Sequence, residues 1–278
     1  MRHVRRQMKA PRCRILPSLC LIVFSLAAAE TPGVFAAPSL GAAPGKLQYE
    51  EPKFLSGAIY TIGAERKLLF RFKRIVSRSG STLKVQRDFS YPDGKLAARE
   101  TVVYEGDDLT SYGLEELQFG ATGSARIQRS LSEQGKGRID FDYSPEAGAR
   151  AKMSKESLQE NTLIADMVGP FLVSHWDALV RGEKVRCRYV VVPRRETVGF
   201  TFVKDSDSRR QRRDAVIIKM EVSSRLLAAL VDPLFFVIGK DPPHRVLEYI
   251  GRTTPKLQTG GKWKDLDAIT VFDWDSAR

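Results

Sequence analysis

Hydrophobic and polar residues alternate with a period of two along most of the chain after residue 50. Ile139, Phe141 and Tyr143, for example, alternate with charged neighbours. This period is that of a β-strand with one face on a core and the other in water. Turn sequences such as residues 79–81 (Ser-Gly-Ser) and 92–94 (Pro-Asp-Gly) separate the runs. The pattern predicts an antiparallel meander.

The period changes to helical spacing between residues 161 and 181. Gly169 and Pro170 lie near the middle of this segment, and an internal proline removes a backbone donor, so we expect a kink there. Large apolar side chains recur every three or four residues and form one face: Ile164, Met167, Val168, Phe171, Leu172, Trp176, Leu179 and Val180.

This order of elements predicts an α+β fold that is mainly β. We expect a single highly curved antiparallel sheet, an open half-barrel of roughly 11–12 strands, with one kinked amphipathic helix on its concave face. The continuous apolar run at 234–238 predicts a strand that is covered on both faces. The sheet domain is expected to span residues 50–278, after a flexible leader at 37–49.

Residues 1–36 have the pattern of a secretory signal peptide. Six basic residues precede an apolar stretch at 15–29, and small residues follow. Cleavage is expected after Ala29 or Ala36, and the second position is favoured. A retained membrane anchor is the alternative, but the stretch is short for a bilayer span and is interrupted by Pro17. We therefore expect a periplasmic or secreted protein.

Composition and charge narrow the class of protein further. The 278 residues are 42% hydrophobic and carry a formal net charge of +12. Removal of residues 1–36 lowers that charge to about +7 and also removes Cys13 and Cys20. Cys187 then remains alone, so the fold depends on its core and not on an internal disulfide. An exported protein of modest positive charge is not expected to bind nucleic acid.

The arrangement resembles the lipoprotein-carrier fold, the LolA/LolB-like half-barrels of the bacterial envelope. It is also similar to a group of uncharacterised exported bacterial proteins thought to share that fold. The resemblance implies a half-barrel over residues 50–275 and a lipid-binding role, and it assigns no site residue. It depends on the signal peptide, on the helix 161–181 between two strand blocks, and on the segments 91–95 with Glu100, 196–200 and 232–236.

Two arginines are candidates for ligand contact. Arg87 lies in phase with Val85 and Phe89, and Arg129 lies in phase with apolar neighbours of its own strand. A charge on an inward face needs a partner or a ligand head group. Glu100 is in phase to pair with them, so the alternatives are an anchor for a lipid or acidic ligand, and a structural ion pair or a local bulge.

We expect an acyl chain or another apolar group to bind between the sheet and the helix. Met167, Phe171 and Leu172 would form the wall of that space, because methionine fills irregular volumes well. The alternative is a filled core in which the same residues only pack. A basic run at a hairpin tip predicts contact with an anionic membrane surface or, alternatively, a solvated loop: Arg209, Arg210, Arg212 and Arg213.

The sequence offers little support for catalysis. His175 and His244 have no neighbours at metal-ligand spacing, and no Gly-x-Ser-x-Gly motif is present. Asp140 and Asp142 share a strand face that should point to water. No cofactor or metal is therefore expected. The sequence favours an exported envelope protein that binds a lipid or other apolar ligand. The alternatives are a hydrolase with an unrecognised site and a structural or protein-partner module of the periplasm.

Overall fold

The computed structural model describes residues 52–129, 137–207, 211–224 and 232–277. The predictions for residues 1–36 and 37–49, and for Arg209 and Arg210, lie outside these ranges. In chain order the described elements are β1 (Phe54–Tyr60), β2 (Leu68–Ser79), β3 (Thr82–Ser90), β4 (Leu96–Glu105), β5 (Asp108–Glu116), β6 (Ala121–Arg129), β7 (Gly137–Ser144), β8 (Lys152–Ser157), β9 (Thr162–Leu163), α1 (Val168–Ser174), α2 (Trp176–Val180), β10 (Val185–Val191), β11 (Glu196–Lys204), β12 (Ala215–Val222), β13 (Leu234–Gly239), β14 (Val246–Arg252), β15 (Leu257–Thr259), β16 (Lys262–Lys264) and β17 (Asp267–Asp273).

Within the described ranges, fifteen strands form one sheet in the order β8-β7-β6-β5-β4-β3-β2-β1-β17-β14-β13-β12-β11-β10-β9. Neighbouring strands pair antiparallel, except that β9 runs parallel to β10. β15 and β16 form a separate hairpin between β14 and β17. The prediction of a mainly β, α+β fold with a large antiparallel sheet is confirmed, and the sheet holds more strands than the eleven or twelve expected.

The sheet consists of two meanders joined by the first and last strands. β1 to β8 follow one another in the sheet, as do β10 to β14 in the other half. β1 pairs with β17 along five residues, from Ser56 opposite Asp273 to Tyr60 opposite Ile269. The register therefore ties the two ends of the described chain together at the centre of the sheet.

Strands that are far apart in this order also contact each other through side chains. Glu156 of β8 accepts hydrogen bonds from the backbone nitrogen and the hydroxyl of Thr197 on β11, at 2.9 and 2.7 Å. A Cβ at Gly123 of β6 would lie 2.7 Å from Val192, which follows β10, so only glycine permits this approach. The sheet thus folds over, and its two meanders face each other across an interior.

The predicted single helix over 161–181 is wrong in extent. Thr162 and Leu163 form strand β9, a 3₁₀ turn covers Ala165–Met167, and only then does α1 begin. Pro170 lies in the first turn of α1, where a missing N–H breaks no hydrogen bond, so it causes no kink. The interruption lies at His175, whose φ of −109° and ψ of 18° separate α1 from α2.

The core follows from the alternation of the strands. One apolar cluster packs inside the first meander and includes Val85 and Val102, and another includes Leu172, Phe202 and Ile218. β13 is buried on both faces, as its continuous apolar sequence predicted. Its alternate residues belong to different clusters. Phe236 and Ile238 belong to the cluster of Leu172 and Phe202, on the inner face, whereas Phe235 and Val237 belong to a separate cluster on the outer face.

Candidate functional site: a charged row inside the sheet

Three charged residues lie side by side on the inner face of the first meander. Arg74 of β2 is opposite Arg87 of β3, and Arg87 is opposite Glu100 of β4. Each is two residues from a core position, and alternation therefore turns all three inward. Two like charges directly opposite each other destabilise a sheet, so this row requires compensating groups.

Each arginine of the row has a carboxylate partner. Arg87 forms an ion pair with Glu100, with side chains 14% and 2% exposed. Arg74 donates from Nε to Asp166 at 2.7 Å and from Nη2 at 3.3 Å. The Tyr104 hydroxyl lies 3.3 Å from the same carboxylate. Asp166 belongs to the 3₁₀ turn before α1, so this ion pair fixes the helical segment to the sheet.

The electrostatic environment keeps Arg87 charged. Burial lowers the pKa of the guanidinium, but attraction from Glu100 and Asp166 outweighs burial, and the pKa lies above its usual value. The rings of Phe72 and Phe89 also lie 5.4 and 5.9 Å from the guanidinium carbon, which adds cation–π attraction. The positive charge is therefore permanent in the folded protein.

Tyrosines from three strands lie near Arg87. Burial raises the pKa of the hydroxyls of Tyr112, Tyr189 and Tyr249, which come from β5, β10 and β14. Tyr189 and Tyr249 nevertheless keep part of their surface accessible, as does Arg87 with 14% of its side chain. Arg87 therefore lies near tyrosines of both meanders, and its side chain is not completely covered.

The helical segment supplies one wall of the interior. Met167 packs against the apolar clusters of both meanders, and it is only partly buried. Phe171 and Leu172 are buried in the cluster of the second meander, and the Phe171 ring lies 5.8 Å from that of Phe202. The structure therefore brings the three predicted wall residues to the interior. Their binding of a ligand stays a prediction.

The segment between β14 and β17 packs on the inner face of the first meander. The Thr254 hydroxyl donates to Glu100, and Lys256 lies 3.5 Å from Glu116. Tyr143 donates a hydrogen bond of 2.8 Å to Glu116. Burial raises the pKa of the Glu116 carboxyl, whereas Lys256 and Tyr143 act in the opposite direction. This segment thus closes over two buried carboxylates.

Arg129 does not enter the interior. It lies at the end of β6, where its side chain is 49% exposed and forms a 2.9 Å ion pair with Asp108 at the surface. The predicted inward orientation is wrong. At the end of a strand that extends past the core, alternation no longer determines which side chains are buried. Arg87 and Arg129 therefore have different environments despite the same sequence pattern.

The described part of the basic run is partly neutralised. Arg212 donates to both oxygens of Glu248, at 3.0 Å each. Hydrogen bonding to Glu248 raises the pKa of Arg212. Arg213 is exposed, and Lys240 donates to its backbone carbonyl. Membrane contact by this run stays a prediction, and Arg212 is already paired with Glu248 of the same chain.

An open polar groove of about 810 Å³ lies where β8, β10 and β11 approach each other. Arg188 lines it and donates to the hydroxyl of Thr197 at 3.0 Å. Cys187 also lines it, and burial raises the pKa of that thiol to about 12. A thiol with so high a pKa is a poor nucleophile at neutral pH. The groove offers polar contacts and no activated nucleophile at this cysteine.

The two histidines in the described ranges are engaged in packing. His175 lies against Phe171, with ring centroids 4.3 Å apart, and His244 stacks on Trp176 at 4.0 Å. Among the described residues, no group of three or more His, Cys, Asp or Glu side chains is placed to hold a metal ion. In the same ranges, no helix has both the length and the apolar character needed to cross a bilayer.

Sequence reasoning missed Arg74, Asp166 and Glu116. Arg74 continues the alternation of Phe70 and Phe72 by one step, so the period of β2 was sufficient to place it inside. Asp166 had no comparable pattern, because it lies in a single 3₁₀ turn and not in a long helix.

Comparisons of the chain with models of protein families, with curated proteins and with solved structures found no match.

Proposed function

We propose that this protein is an exported envelope protein that binds an amphiphilic ligand in the interior between the charged row and the helical segment. The observation that carries the proposal is the environment of Arg87. Its guanidinium interacts with groups from several elements, and 14% of its side chain stays accessible. We infer that an apolar interior space adjoins it, because a few placed polar groups in such a space are typical of a binding site.

The opposite wall suits the apolar part of such a ligand. Aromatic rings follow one another across the second meander, from Phe202 to Phe236 at 6.0 Å and on to Tyr249 at 5.0 Å. Met167 lies between the two clusters and can adapt its shape, because its side chain is unbranched. A ligand with one polar and one apolar end therefore meets matching surfaces on the two sides.

Export follows from the N-terminal pattern of the sequence. Production of the full-length chain in a Gram-negative host is expected to yield mature protein in the periplasm. Its N-terminus would then begin after Ala29 or Ala36. Retention of residues 1–36 in the membrane fraction would contradict this part of the proposal.

Native mass spectrometry of the periplasmic protein tests the binding proposal directly. We expect an adduct that organic extraction releases as a lipid, and saturable binding of a fluorescent acyl probe at micromolar concentration. The absence of both would overturn the proposal and favour a structural or protein-partner role.

A matched pair of variants locates the site. Met167→Trp adds volume where both clusters meet, and we expect it to weaken probe binding at least tenfold. Val173→Trp adds the same group on α1, where Val173 is 37% exposed, and should leave binding unchanged. Comparable unfolding midpoints of the two variants would show that the loss is local. Equal effects on binding would place the ligand elsewhere.

A further inference from the structure

The charges around the proposed site are balanced, and this balance bears on the class of ligand. Arg74 is paired with Asp166 and Arg87 with Glu100, so the two bases and two acids of this cluster cancel. Lys256 likewise faces Glu116 in the neighbouring contact. A site built only to hold an anion would instead carry unbalanced positive charge.

The two members of the central ion pair differ in their remaining hydrogen-bonding capacity. Glu100 accepts from both Arg87 and Thr254, and Tyr112 lies close enough to interact with it as well. Arg87 has five N–H donors, and within the described residues its hydrogen bonds go to Glu100 through Nη1. Arg87 therefore has spare donors, whereas both oxygens of Glu100 already accept hydrogen bonds.

We propose that the interior site selects an uncharged amphiphile whose polar end accepts hydrogen bonds from Arg87, such as an acyl ester. This inference rests on the proposed function. An ester oxygen takes the spare donors of Arg87 and loses little hydration energy. A carboxylate must lose far more hydration, and it also meets the negative charge of Glu100 at short range.

The test compares two probes that differ by one charge. A fluorescent fatty acid and its methyl ester are titrated separately into the mature protein, that is, the whole chain after signal-peptide cleavage. The pH is near 8, where the acid is ionised. We expect the ester to bind at least tenfold more tightly. Tighter binding of the acid, or equal affinities, would overturn the inference and leave the binding proposal intact. Failure of both probes to bind would instead overturn the proposed function.

A charge variant examines the cause of the preference. Glu100→Gln keeps an acceptor for Arg87 and Thr254 and leaves the cluster with one uncompensated positive charge. We expect the preference for the ester to fall at least tenfold, toward the acid. Asp108→Asn removes the partner of Arg129 at the surface and should change neither affinity. An unchanged preference in folded Glu100→Gln would overturn the inference.

A second variant keeps the test decisive if Glu100→Gln does not fold. The double variant Arg87→Gln with Glu100→Gln removes both charges and restores the balance. We expect it to bind the ester at least tenfold more weakly than the wild type, because the guanidinium donors are gone, and to show no shift toward the acid. Wild-type ester affinity in this double variant would contradict a role for Arg87.

Discussion

The two meanders both bury apolar clusters on their inner faces, but the first also carries one charged row there. The inner face of the first carries the row of Arg74, Arg87 and Glu100. The inner face of the second carries Phe202 and Phe236, both buried. The same strand geometry thus holds a row of ion-paired residues in one meander and aromatic rings in the other. The comparison teaches that the residue type at each inward-facing position determines how polar this interior is. The strand geometry alone does not determine it.

The charged row remains compatible with a stable sheet because it is narrow. Each charged residue has apolar residues two positions away along its strand, such as Phe72 before Arg74 and Val85 before Arg87. A register shift of one residue would turn those apolar groups to water. The apolar rows therefore hold the strands in register, and the charges take single positions between them.

The largest expected effect comes from breaking the central ion pair. Arg87→Met leaves Glu100 buried without its partner, which should lower the free energy of unfolding by about 3–5 kcal/mol. Urea denaturation followed by circular dichroism measures this. Arg129→Met, the surface counterpart, should cost less than about 1 kcal/mol. Similar losses in the two variants would contradict the distinction between the interior and surface arginines.

A smaller effect is expected on the aromatic side. Phe171→Ala removes a buried ring that packs on Phe202, and we expect a loss of about 3 kcal/mol in the unliganded protein. Val173→Ala on the same helix, at an exposed position, should change stability by less than about 0.5 kcal/mol. A loss below about 1 kcal/mol for Phe171→Ala would instead place this ring against open space.

The smallest effect is a pH dependence from Glu116. Its pKa is raised by burial, so the folded protein binds this proton more tightly than the unfolded chain. The contribution of Glu116 to stability therefore falls as pH rises from the unfolded pKa through the higher folded pKa. Urea titrations between about pH 4 and pH 7 should show Glu116→Gln gaining stability relative to wild type as pH rises. Glu115→Gln, at an exposed position of the same strand, is the matched control, and an equal trend in the two variants would contradict the assignment to Glu116.

Strand periodicity was sufficient to predict much of the first meander. The alternation of β3 and β4 turned Arg87 and Glu100 inward, and the turn at 92–94 joined their strands, so their pairing followed from local sequence. The same logic failed for Arg129, because it lies at a strand end. Local pattern determines orientation only where the strand continues to contact the core.

The helical segment was harder to predict, since its limits depend on tertiary contacts. Leu163 is apolar and lies within the predicted helical segment, but it pairs with Tyr189 as part of a short parallel strand. Asp166 is held by Arg74, ninety-two residues earlier in the chain. Such a contact leaves no trace in the neighbouring sequence. The set of tyrosines near Arg87 likewise comes from both meanders and could not be derived from either.

The pairing of β1 with β17 has a consequence for the order of folding. Hairpins within each meander join neighbours in sequence, and such local contacts form early. Ser56 and Asp273 are separated by 217 positions, so the loop-closure entropy of joining them is large. During synthesis the first strand must keep an unpaired edge until the last strand has been made. This edge of β1 is thus open to intermolecular strand pairing while most of the chain is being made, and it is covered only when β17 arrives.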